Sequence, residues 1–201
     1  MNMGKRNEQQ KEIKNFIEKS LTHRLKNDQK ELKILSEHDL QACVYYHLRK
    51  QLQKMPNWHL QVEISHGKRN EEKKIPDITI AYLKSDGKTV YPKFLIELKE
   101  TTAPLTNSSK KGYKKDIQKL KGLIKKHNKK IVKTYFIVAV LPFRNKQKTS
   151  QQSTKDIEET IQENKLNSKI QTIIINTQYD KRNRFDDRFM KKMRLLRKIR
   201  G

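Results

Sequence analysis

Ile131 to Leu141 is the most apolar run in a chain of which 34% of residues are charged. Such a run reads as a fully buried central strand. A strand buried on both faces needs covering layers, and the segments around it supply them. Tyr113 to His127 reads as an amphipathic helix, with Tyr113, Ile117, Leu120 and Ile124 at helical spacing. Its other face carries Lys114, Lys115, Lys119, Lys121, Lys125 and Lys126. A short helix near 155–165 leads to a last strand from Ile170 to Asn176. Residues 101–112 and 144–155 read as polar loops, the second rich in glutamine.

Upstream, Ser36 reads as an N-cap, with Asp39 completing a short-acid capping box. Leu40, Val44, Leu48 and Leu52 then form a helical stripe, which Cys43 and His47 widen and Pro56-Asn57 end. Glu37 lies one turn before Leu40, at the rim of that stripe. His38 reads as a surface residue and His47 as core; Tyr45 and Tyr46 are expected to pack beside the stripe. Trp58 to Ser65, Ile75 to Leu83 and Val90 to Lys99 read as three strands. Trp58 reads as core, Pro92 interrupts the third strand, and Ser85-Asp86-Gly87-Lys88 reads as a tight turn between the second and third.

The order is therefore αβββαβαβ. It predicts an α/β fold, a central mixed β-sheet flanked by helices. Residues 36–176 would form this domain. Residues 1–35, with a weak stripe of Phe16, Ile17, Leu21 and Leu25, read as a basic helical N-terminal extension, an arm or a helix docked on the core. Residues 177–201 read as a basic C-terminal tail: from Lys181 to Arg200 it carries ten Lys or Arg against Asp186 and Asp187.

The second and third strands carry the chemistry. Glu97 and Lys99 share one face of their strand, about 6.5 Å apart at the backbone, while Phe94, Ile96 and Leu98 take the other. Pairing around the Asp86-Gly87 turn brings Asp77 to the same end: it lies nine residues before Asp86, and Glu97 lies ten after Gly87. Two carboxylates there suit a hard cation bound through oxygen, and a lysine beside them would orient or help deprotonate the attacking water, or neutralise charge developing on the phosphate. Glu37 would add a third acid from the helix rim. Lone charged residues bordering an apolar strand usually just end it in solvent; three in register fit that reading poorly.

Charge points to the substrate. Lys and Arg total 47 against 22 Asp and Glu, a net +25, which favours a polyanionic partner such as nucleic acid. Lysine-rich composition from an AT-biased genome is the competing explanation. From Leu105 to Lys133 there are eleven lysines and one acid, Asp116. The single cysteine, Cys43, excludes an internal disulfide and a cysteine-based zinc site. Glycine-rich phosphate loops are absent. No segment is apolar and long enough to span a membrane and no signal-peptide core is present, so an intracellular protein is expected, in the cytoplasm or, in a eukaryote, the nucleus.

Glu37 on a first helix, Pro76-Asp77, Glu97-Leu98-Lys99 and the helix that follows resemble the PD-(D/E)xK nuclease superfamily, with its restriction-endonuclease-like fold. The match covers about residues 36–141 and extends towards 176. The resemblance implies that Asp77, Glu97 and Glu37 bind Mg²⁺, with Mn²⁺ able to substitute, that the main-chain carbonyl of Leu98 joins them, and that Lys99 assists the attacking water. It also implies phosphate contacts on the helix of Tyr113 to Gln118, for which Lys115 and Gln118 are candidates. With Lys110, Lys111, Lys114 and Lys119, these make the expected nucleic-acid surface. The expected activity is a Mg²⁺-dependent endodeoxyribonuclease acting on DNA. The alternatives are a non-catalytic nucleic-acid-binding or assembly module that keeps the fold, and a basic RNA-associated structural protein. Cutting both strands of a duplex usually needs two sites, which leaves a homodimer or a partner protein open.

Overall fold

The structure is a computed structural model that describes residues 3–31, 33–62, 76–84, 86–101, 107–127, 130–141, 147–163 and 168–176. Helices α1 (Met3–Asn15) and α2 (Thr22–Lys30) are joined by a π-helical turn, Phe16–Leu21. Then follow α3 (Glu37–Leu52), β1 (Trp58–Val62), β2 (Ile78–Leu83), β3 (Val90–Thr101), α4 (Asn107–Lys126), β4 (Lys133–Val140), α5 (Gln147–Glu163) and β5 (Ile170–Ile175). From α3 onward this is the order read from the sequence.

Among the described residues five strands form one mixed sheet in sequence order, β1-β2-β3-β4-β5. β1, β2 and β3 pair antiparallel, whereas β4 lies parallel to both β3 and β5. The parallel pairs need crossovers, and α4 and α5 are those crossovers. The alternation of β3 and β4 divides the core. Phe94, Ile96, Leu98, Tyr135, Ile137 and Ala139 face α1, the π-helical turn, α2 and α3. Leu95, Phe136, Val138 and Val140 face α4 and α5.

The chain before residue 36 belongs to this core. Ile13, Ile17, Leu21, Leu25 and Ile34 are buried in the same cluster as β2, β3 and β4. Gln29 Nε2 donates to Val140 O at 2.7 Å, and Trp58 Nε1 donates to Gln9 Oε1 at 3.0 Å. The sheet needs a layer on this face, and α3 alone does not supply it, so the expected extension is a structural layer.

Other expectations shift. α4 starts at Asn107, not Tyr113, because Asn and Ser are good residues for a helix start. The glutamine-rich stretch expected as a loop is the first half of α5, where glutamine is a good helix former and Ile157 and Ile161 anchor the helix in the core. Tyr46 is 60% exposed: two residues from Val44, it falls on the far side of α3 from the stripe. His38 is exposed, as expected, and His47 is buried against Asp28, 2.6 Å from its carboxylate. The expected tail, 177–201, and the end of the first strand beyond Val62 lie outside the described residues.

Candidate active site

The β2–β3 hairpin sets the site. Its turn is built by Asp86, whose carboxylate accepts from the N–H groups of Lys88 and Thr89, and by Gly87 at φ 65°, a left-handed conformation suited to glycine. From there Leu83 pairs with Val90 and Ala81 with Pro92, but Ile80 pairs with Phe94. Lys93 is thus an extra residue, a bulge beside a proline that has no N–H to give. The bulge absorbs the nine-against-ten count on either side of the turn. Beyond it Ile78 pairs with Ile96, so Asp77 arrives opposite Glu97.

Asp77 is half-buried, and its Oδ2 accepts from the Leu98 N–H at 2.6 Å. The Leu98 N–H thus holds the Asp77 carboxylate in place. Glu97 is 1% exposed. Its Oε1 accepts from Lys119 Nζ of α4 at 2.5 Å, while its Oε2 is buried and has no hydrogen-bond partner among the described residues. Burial first, and the Asp77 charge second, push the Glu97 carboxyl up to about 8 against the Lys119 bond. Asp77 is raised too, chiefly by burial, with the Leu98 N–H opposing.

Lys99 stands two residues on, on the same face of β3. Its Nζ lies 3.4 Å from Asp116 Oδ2 and 3.5 Å from Glu37 Oε1. Burial works against its charge, but Glu37, Asp116, Glu97 and Asp77 together hold its pKa above the usual lysine value. Lys99 is therefore an ammonium at neutral pH. Glu37 is placed by the predicted cap: Ser36 Oγ accepts from Asp39 N at 3.1 Å and donates to Asp39 Oδ2 at 2.9 Å, fixing the first turn of α3 at the end of β3. Glu100, not singled out from the sequence, has its pKa raised by burial and by Glu37.

Asp77, Glu97, Lys99 and Glu37 are thus brought together around a second lysine and a further acid. Lys119, read as a nucleic-acid contact, points inward onto Glu97. Lys111, Lys114, Lys115 and Gln118 are exposed on the outer side of α4, and Lys110 is partly so. Asp116, read as a lone acid in a basic helix, lies between Lys99 and Lys119, 4.0 Å from the latter. The available signal was its position beside buried Ile117, at the margin of the apolar stripe.

The donor set fits a hard divalent cation. Glu97 Oε2 is a buried carboxylate oxygen without a hydrogen-bond partner among the described residues, and the Asp77 charge acts on the same carboxyl, an arrangement that a cation relieves. Counted as ionised, the four carboxylates Asp77, Glu97, Glu37 and Asp116 exceed the two ammoniums by two charges. Among the described residues no group of three or more His, Cys, Asp or Glu is gathered to hold a metal. Asp77 and Glu97 by themselves fall within the one or two carboxylates that Mg²⁺ usually takes from a protein, with the rest of its shell from water and phosphate. No helix among the described residues is long and apolar enough to cross a membrane. Comparison with models of protein families, with curated proteins and with solved structures finds no match.

Proposed function

We propose that the chain is a Mg²⁺-dependent endodeoxyribonuclease of the PD-(D/E)xK type, with a restriction-endonuclease-like core, that hydrolyses DNA phosphodiester bonds. The observation that carries this is the buried Glu97 carboxylate, with one oxygen unpartnered among the described residues, opposite Asp77 and two residues from Lys99. Asp77 and Glu97 would hold the ion. When bound, it polarises the scissile phosphate and lowers the pKa of a coordinated water.

The protein's own groups do the rest. The Leu98 N–H orients Asp77 before any ligand arrives. Lys99, held as an ammonium by Glu37 and Asp116, is not the base that takes the water's proton; it donates hydrogen bonds to a phosphate oxygen that gains charge and so helps orient the attack. The outer lysines of α4 suit phosphate contacts that position a strand without reading its sequence.

The test is cleavage of plasmid and branched DNA with Mg²⁺, Mn²⁺ or EDTA. Wild type should cut only with metal, and Asp77→Ala and Lys99→Ala should each lose at least about 100-fold in rate. DNA binding should weaken steeply with salt. A second reading has one observation in its favour: Lys119 already occupies Glu97 Oε1. If that pair never opens, the protein is a non-catalytic nucleic-acid-binding module, and wild type will bind DNA but behave like the two variants.

A further inference from the structure

Lys119 and Asp116 stand apart from the rest of α4. The side chains of both are 18% exposed, whereas Lys111, Lys114, Lys115, Lys125 and Lys126 are exposed. Three residues apart, they share a helix face, and that face looks onto β3. Lys119 Nζ bonds Glu97 Oε1 and lies 4.0 Å from Asp116 Oδ1, while Asp116 Oδ2 lies 3.4 Å from Lys99 Nζ. One Glu97 oxygen is therefore committed to an internal cation, and an alternative acceptor for that cation stands beside it.

Resting on the nuclease reading, we propose that Lys119 and Asp116 are positioning residues for the metal: Lys119 is the resident hydrogen-bond partner of Glu97 Oε1, a divalent cation that takes both Glu97 oxygens displaces it, and Asp116 is the acceptor to which its ammonium moves. Two positive charges cannot share one buried carboxylate without repulsion, so entry of the ion and departure of the ammonium are coupled. The flexible four-carbon stem of lysine permits the move without a change in α4. Asp116 keeps the displaced charge beside Lys99, where a phosphate would sit. The pair thus stabilises two buried acids before metal arrives and sets how tightly metal binds.

The experiment is calorimetric titration of the full chain with Mn²⁺, without DNA. Lys119→Met should bind about tenfold more tightly than wild type, the change expected for removal of one competing charged hydrogen bond. Asp116→Asn should bind about tenfold more weakly. Lys126→Met, which removes the same charge from the exposed face, should stay within about twofold of wild type. Lys119→Met binding no more tightly than wild type, or Lys126→Met matching its gain, overturns the proposal. Should Lys119→Met fail to fold, NMR of the lysine ammonium groups in wild type decides. Added Mg²⁺ should move the Lys119 signal, and a static Lys119 signal with shifting Asp77 and Glu97 carboxylates overturns the exchange. If neither wild type nor any variant binds metal, the nuclease reading falls with the proposal. If wild type binds metal and the variants do not differ from it, only the proposal falls.

Discussion

Replacing Glu97 by Gln should reverse part of the protein's pH dependence. In the unfolded chain this carboxyl titrates near 4.5; in the fold it is pushed up to about 8, by burial first and by Asp77 second. Below pH 4.5 both states hold the proton and stability is untouched. Between 4.5 and about 8 the folded state keeps the proton and the unfolded state has released it, so stability falls as pH rises. Above about 8 the loss is complete. At 1.36 kcal/mol per pH unit the full loss is roughly 5 kcal/mol, comparable to the net stability of a small domain. Gln has no proton to lose. The difference in unfolding free energy between Glu97→Gln and wild type should therefore grow by about that amount from pH 4.5 to pH 9, in favour of the variant. Urea unfolding in EDTA at several pH values measures it. A difference that is flat with pH would refute the reasoning, because it would mean Glu97 titrates alike in both states. With saturating Mg²⁺ the slope should shrink, since a nearby cation favours the charged carboxylate.

Two further predictions concern the layer that supports the site. Ile17→Ala, at a fully buried position in the π-helical turn, should cost about 3 kcal/mol of unfolding free energy by urea denaturation; a cost under about 1 kcal/mol would mean that the first helices are an appendage. Asp28→Ala removes the partner of buried His47, 2.6 Å away between α2 and α3, and should cost about 2 kcal/mol in the same assay, as for a buried group left without its hydrogen bond. Near-neutrality there would show that the pair is not what joins those helices.

The third strand was legible because its chemistry is local. Period-two alternation alone puts Glu97 and Lys99 on one face and Ile96 and Leu98 on the other, and the structure has them so. The cap at Ser36 was legible for the same reason: its partners lie within four residues. The N-terminal helices were not, because a stripe interrupted by lysines and glutamates does not say whether it meets a core or solvent. The first half of α5 is not legible in this way, because glutamine and serine are at home in polar loops as well as in helices.

Local pattern is enough to give the order of the elements from α3 onward, the face each apolar residue takes on its own strand or helix, and the return of the second strand along the third. Tertiary structure decided who meets whom. Lys99 and Glu37 lie 62 residues apart, Lys119 and Glu97 22, and Asp77 and Leu98 21. The bulge at Lys93 places Asp77 opposite Glu97, and the rotation of α4 against β3 turns Asp116 and Lys119 inward. Periodicity is a property of the backbone and is written residue by residue. A charge cluster assembled from α3, β2, β3 and α4 depends on register and helix rotation, which only packing of the two core layers sets.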